Sequence, residues 1–174
     1  MQVPLVLLAA LLVFRGLGAL GVSRFASWSV SAAHALAVML LMTASAHFVP
    51  ESVTVMPNHA DLVRMVPPFV PFPAAMVYLT GVLELLGAAG LVMAGTRRLA
   101  GLGLAVMFVL LLPANVHAAL AGTPFNGGEA TPLWLRVPEQ VLYIAVALWS
   151  ATRGARPARD EAGTRSAGET LSRR

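Results

Sequence analysis

The sequence contains no cysteine and no lysine, and only 11% of its residues are charged. Without cysteine the chain by itself can form no disulfide, no iron–sulfur cluster and no thiol–disulfide relay. Without lysine every fixed cation is an arginine. A charged fraction well below the roughly one quarter usual in soluble domains leaves too little polar surface to keep a fold of this size in water. What takes its place is apolar: 57% of the 174 residues are hydrophobic. The composition therefore points to a polytopic membrane protein and leaves no room for a large extramembrane domain. The excess of positive charge does not point to nucleic acid. Much of it sits at the C-terminus, in Arg153, Arg156, Arg159, Arg165, Arg173 and Arg174. In a membrane protein such a tail sets orientation.

Five apolar stretches approach the roughly 20 residues a helix needs to cross about 30 Å of hydrocarbon. They run over residues 3–22, 29–48, 73–94, 99–121 and 133–151. The first lacks a basic leader and carries Arg15 after its most apolar part, so it is expected to stay as an uncleaved helix, with Arg15 snorkelling or pairing inside the bundle. Arg24, Arg97, Arg98 and the tail arginines fall on one side if all five stretches cross. Glu51, Asp61 and Glu129 fall on the other, with Arg64 and Arg136. The positive-inside rule then puts the N-terminus outside and the C-terminus in the cytoplasm. The expected location is a bacterial inner (plasma) membrane, with the lipid bilayer as first partner.

The long second loop, "VPESVTVMPNHADLVRMVPPFVPFP", predicts a short helix capped by Asn58, with Asp61 in its first turn. Leu62, Met65 and Val66 would form its apolar face, Asp61 and Arg64 would face water, and "PPFVPFP" would run extended. It would lie on the outer membrane surface and could cover the mouth of the bundle. The tail after residue 152 reads as disordered.

Ionisable groups inside a membrane need a partner or a wet cavity. Glu84, in "YLTGVLELLGAAGLV", is the deepest, about 15 Å below the outer end of its helix. One turn away lie Thr80, Gly81, Gly87 and Ala88, a small-residue face that lets another helix approach, so Glu84 is expected to face the bundle interior. Pro113, in "LLPANVHAAL", leaves the Val109 carbonyl without its helical donor. Asn115 has a small flank, and His117 lies about 200° round the helix from it. Arg136, Gln140, Tyr143 and Ala147 form one stripe, and Glu139 is within pairing distance of Arg136. His47, ending "TASAHF", stacks over Thr43 and Ala44. His34, near the other surface, reads as a packing residue. These placements predict one polar funnel running from the outer surface to Glu84, with partners for the carboxyl among Thr80, Asn115, Gln140 and Arg136. The alternative is that the same groups are interhelical hydrogen bonds that only fix packing.

The blocks "AHFVP", "MVPPFVP", "VYLTGVLELLGAAGL", "RRLAGLGL", "PANVHAAL" and "LWLRVPEQ" resemble, in order, the DoxX-like membrane family over residues 31–151. The resemblance implies an all-α, polytopic four-helix membrane bundle over residues 29–152. An additional transmembrane helix and short loop would precede it over residues 1–28, and a tail would follow over residues 153–174. It also implies quinone-linked redox chemistry, in which Glu84 and His47 donate or accept protons. Asn115, Arg136 and Gln140, with Tyr78 and Thr80, would hold the ligand. Quinone is then the expected small molecule, and a soluble or membrane-bound redox partner would supply electrons; a homo-oligomer is left open. A bis-histidine haem through His47 and His117 is a weaker alternative, as no haem motif accompanies them. No metal site is expected, because no histidine or carboxylate pair has ligand spacing. The competing reading is a non-enzymatic scaffold or assembly factor.

Overall fold

The computed structural model describes residues 2–124, 128 and 131–152. The expected tail over residues 153–174 and part of the fourth loop lie outside the described residues. Six α-helices form the described fold: α1 (Gln2–Ala19), α2 (Trp28–Ala46), α3 (His59–Met65), α4 (Pro73–Val92), α5 (Arg97–Leu120) and α6 (Leu133–Thr152). A single 3-10 turn, Ser23–Phe25, links α1 to α2. Of the helices, α2, α4 and α5 are long and apolar enough to cross a membrane. The continuous apolar part of α1, Val3–Ala19, is shorter. The first half of α6 carries Arg136, Glu139 and Gln140, which lower its hydropathy.

Helix α2 is the centre of the bundle. It packs on α1, α4 and α6, while α5 packs on α4 and, most extensively, on α6. The reason lies in its side chains: Ser29, Ser31, Ala32, Ala33, Ala35, Ala37, Ala44 and Ala46 are all buried, and small residues bring helix backbones close enough for van der Waals packing to hold them. Ser27 caps the helix by accepting from the Val30 N–H at 3.3 Å. Leu7 of α1 belongs to the same core as Leu36, Leu40, Leu91, Phe108 and Ala147, so α1 is part of one packed unit. Two glycines set close contacts. A Cβ on Gly81 would stand 2.5 Å from the Cβ of His47, and one on Gly101 would stand 2.6 Å from the Ala147 carbonyl oxygen. The outward positions of α4 and α5 carry Leu79, Leu83, Leu86, Leu99, Val106 and Leu110, all exposed, as a surface against lipid tails requires.

Helix α3 follows the expected capping pattern. Asn58 Oδ1 accepts from the Asp61 N–H at 3.1 Å, and Asp61 Oδ2 accepts from the Asn58 N–H at 3.3 Å. Asp61 is nevertheless buried and does not face water as expected. Its carboxylate is consumed by the cap and by Arg64 Nη1 at 3.0 Å, and Arg64 in turn donates to Glu51 at 3.1 Å. The segment after α3 is also not extended: the Val70 N–H bonds the Pro67 carbonyl at 3.0 Å, closing a turn. Phe72 then adopts φ 53° directly before Pro73, the first residue of α4.

Candidate functional site

The carboxyl of Glu84, 6% exposed, meets the end of α2. Thr43 Oγ1 donates to Glu84 Oε2 at 2.8 Å, and His47 Nε2 lies 3.7 Å from Oε1. Gly81, one turn before Glu84, makes this possible because His47 occupies the space its side chain would fill. The other ring nitrogen, His47 Nδ1, lies 2.6 Å from the Val77 carbonyl oxygen. That oxygen can only accept, so Nδ1 carries a hydrogen. Nε2 is left to face the carboxyl. At 3.7 Å the two are beyond hydrogen-bond range, but a bare Nε2 lone pair against a carboxylate is repulsive, and a proton shared by the pair, on either partner, would turn the approach into an attraction. Thr43 suits both arrangements. Its hydroxyl also lies 3.2 Å from the Leu40 carbonyl, so it can donate to an ionised Glu84 or to its own helix.

Two further groups attach to this pair. Thr80 Oγ1 donates to the Val77 carbonyl at 2.9 Å and sits 3.3 Å from His47 Nδ1. His59, at the start of α3, bonds through Nδ1 to the His47 carbonyl at 2.9 Å and stacks on the Tyr78 ring, with centroids 4.0 Å apart. Helix α3 is thus tied to the residue that faces Glu84. Tyr78 itself is 47% exposed and contributes a ring face to this stack.

The remaining expected ligand residues form a second network between α5 and α6. Arg136 Nη1 donates to Asn115 Oδ1 at 3.0 Å, Asn115 Nδ2 to Gln140 Oε1 at 3.2 Å, and Gln140 Nε2 to the Phe108 carbonyl at 2.5 Å. Helix α5 runs on through Pro113, and the carbonyl that takes a side-chain donor near the proline is Phe108, one residue before Val109. The single funnel expected from helix faces is therefore two separate hydrogen-bonded sets. The Glu84 partners seen are Thr43 of α2 and His47, the residue that caps its C-terminus, because α4 packs on α2 more extensively than on α5. Neither described cavity, one lined by Arg24 and Arg97 and one by apolar residues of α1, α2 and α6, includes Glu84 or His47. Among the described residues no cluster of histidine and carboxylate side chains could hold a metal ion.

Thr43 and His59 are site residues that sequence reasoning did not select. Thr43 is flanked by apolar residues and could satisfy its hydroxyl on its own helix, and His59 lies in a polar loop. The signal for His59 was its place at the first position of the capped α3.

The fold and these contacts define an α-helical, membrane-type bundle with a buried acid–imidazole pair at one end of its central helix. The chain belongs to a family described as a domain of unknown function, DUF8561, which matches residues 36–151 and so includes Glu84, His47 and the whole α5–α6 network. No curated protein and no solved structure matches the chain.

Proposed function

We propose that this protein is a multi-pass membrane protein of DoxX-like type and acts as the membrane subunit of a quinone-linked redox system. In this reading five helices cross the bilayer, the α2–α3 loop lies outside, and the Glu84–His47 pair exchanges a proton with a membrane-embedded quinone. The observation that carries it is the buried approach of His47 Nε2 to the Glu84 carboxyl at 3.7 Å, with Nδ1 held by the Val77 carbonyl. Quinone reduction needs protons delivered at a water-poor site, and a buried acid–imidazole pair that holds one proton is suited to supply it. His59, stacked on Tyr78, ties the loop end of the bundle to the backbone of the residue that faces Glu84. Electrons come from a partner or an exogenous donor, since the chain carries no residue set for an electron carrier of its own.

A second reading is favoured by a specific observation: the carboxyl is closely packed, with Glu84 6% exposed and Gly81 against His47. A scaffold or assembly factor would use the pair only to fix α2 against α4. Glu84→Gln separates the two. Gln keeps the size and most hydrogen bonding but cannot exchange a proton. Loss of quinone-linked turnover at unchanged expression and unfolding midpoint supports the redox role; retained turnover with lowered stability assigns the pair to packing. Infrared difference spectra add a direct readout, a carboxyl band, protonated or ionised, that Glu84→Gln removes.

A further inference from the structure

The opposite end of the bundle holds a cluster that the Glu84 site does not use. Arg97, at the start of α5, is buried at 5% exposure, an unusual position for a guanidinium. Its Nε donates to the Leu91 carbonyl at 2.8 Å and its Nη2 reaches the Val92 carbonyl at 3.4 Å. Arg24, from the α1–α2 turn, donates through Nη2 to the same Val92 oxygen at 3.0 Å. Two cations therefore converge on one carbonyl. Arg24 Nε also donates to His34 Nε2 at 3.2 Å, while His34 Nδ1 lies 2.8 Å from the Val30 carbonyl. That tautomer leaves the imidazole without a charge of its own to offer.

The carbonyls at the end of α4 supply only the partial negative charge of a helix C-terminus, about half a unit. Two full positive charges face it. No salt bridge among the described residues involves Arg24 or Arg97. The described carboxylates belong elsewhere: Glu51 and Asp61 near α3, Glu84 eight residues back along α4, and Glu139 in the first half of α6. Between the two arginines lies a cavity of about 450 Å³, lined by Arg24, Val30, Val92, Met93, Ala94 and Arg97. A buried cation without a full counter-charge among the described residues is costly, and a site walled by two guanidinium forks and apolar side chains suits a phosphate oxyanion carried on an apolar molecule.

We infer that this cavity binds a phosphate group of net negative charge, the chemistry shared by an anionic phospholipid headgroup and free inorganic phosphate. Arg97 is the fixed, buried half of the site and Arg24 the exposed half that closes on the ligand. The inference does not depend on the redox reading, because the Glu84 pair lies some eight residues, about 12 Å, further along α4.

The test uses the full chain, purified in mild detergent and stripped of lipid. Unfolding midpoints and native mass spectra are recorded with phosphatidylglycerol, phosphatidylcholine and inorganic phosphate. Phosphatidylglycerol is expected to raise the midpoint and stay bound where phosphatidylcholine does not. Arg24→Gln is expected to weaken retention about fivefold, the worth of one arginine near an anionic surface. Arg97→Gln removes a buried group and could fail to fold, so Ala94→Glu is the second variant. Ala94 is exposed and lines the cavity, and the new carboxylate should occupy the anion position and abolish the lipid effect while raising the lipid-free midpoint. A response to phosphatidylglycerol alone assigns the site to a headgroup; a response to inorganic phosphate as well, or alone, assigns it to the free anion. Equal responses to both lipids with none to phosphate, or a phosphatidylglycerol effect that survives both Arg24→Gln and Ala94→Glu, overturns the inference.

Discussion

Glu84 and Gln140 are equally buried, at 6% exposure each, yet the bundle holds them in different ways. Gln140 is neutral and sits in a chain in which each amide finds a partner: Arg136 to Asn115, Asn115 to Gln140, Gln140 to the Phe108 carbonyl. Glu84 can carry a charge, and it faces a side chain that can carry the opposite one. The first arrangement works as interhelical glue between α5 and α6. The second also joins two helices, but its strength depends on where one proton lies. The difference teaches that burial by itself does not mark a reactive group; what matters is whether the partner can exchange a proton with it.

The largest effect should come from breaking the titratable pair. Glu84→Ala leaves His47 buried without its partner and should destabilise the protein by about 3 kcal/mol. In a cycle with His47→Ala, the two changes should fall short of additivity by about 1–3 kcal/mol, measured by unfolding in mixed micelles. Strict additivity would mean that the 3.7 Å approach carries no coupling. Next comes the packing that allows the approach. Gly81→Ala places a Cβ 2.5 Å from that of His47 and should cost about 2 kcal/mol, with weakened coupling in the same cycle. The smallest effect belongs to the amide network between α5 and α6. Asn115→Ala should cost about 1 kcal/mol, within the range of interhelical hydrogen bonds in membranes. It should also leave the carboxyl infrared band of Glu84 unchanged. A shift of that band would show that the two networks communicate, and the contrast drawn between them would fail.

The helices were largely legible in the sequence. Apolar runs at 29–48, 73–94, 99–121 and 133–151 became α2, α4, α5 and α6 with ends moved by no more than two residues. The α3 cap was legible as well, because Asn58 and Asp61 act on backbone groups three residues away. The interior direction of Glu84 followed from Gly81, Gly87 and Ala88, all buried as that face required. Its partners did not follow. Helical periodicity fixes which residues share a face, but not which helix comes to meet it. Asn115, Gln140 and Arg136 share compatible depths with Glu84, and so does Thr43; depth could not choose among them.

The sequence by itself determined the class of this protein. Low charge and long apolar runs require helices that satisfy their own backbone hydrogen bonds, and a carboxyl within such a run must turn toward protein. Tertiary structure alone decided the chemistry within reach. The alanines and serines of α2 draw α4 onto it, the missing side chain of Gly81 admits His47, and the Val77 carbonyl fixes which ring nitrogen faces Glu84. At the other end of the bundle the fold brings Arg24 and Arg97, far apart in the chain, to one carbonyl oxygen. Such meetings depend on close packing between segments distant in sequence, which local pattern does not encode.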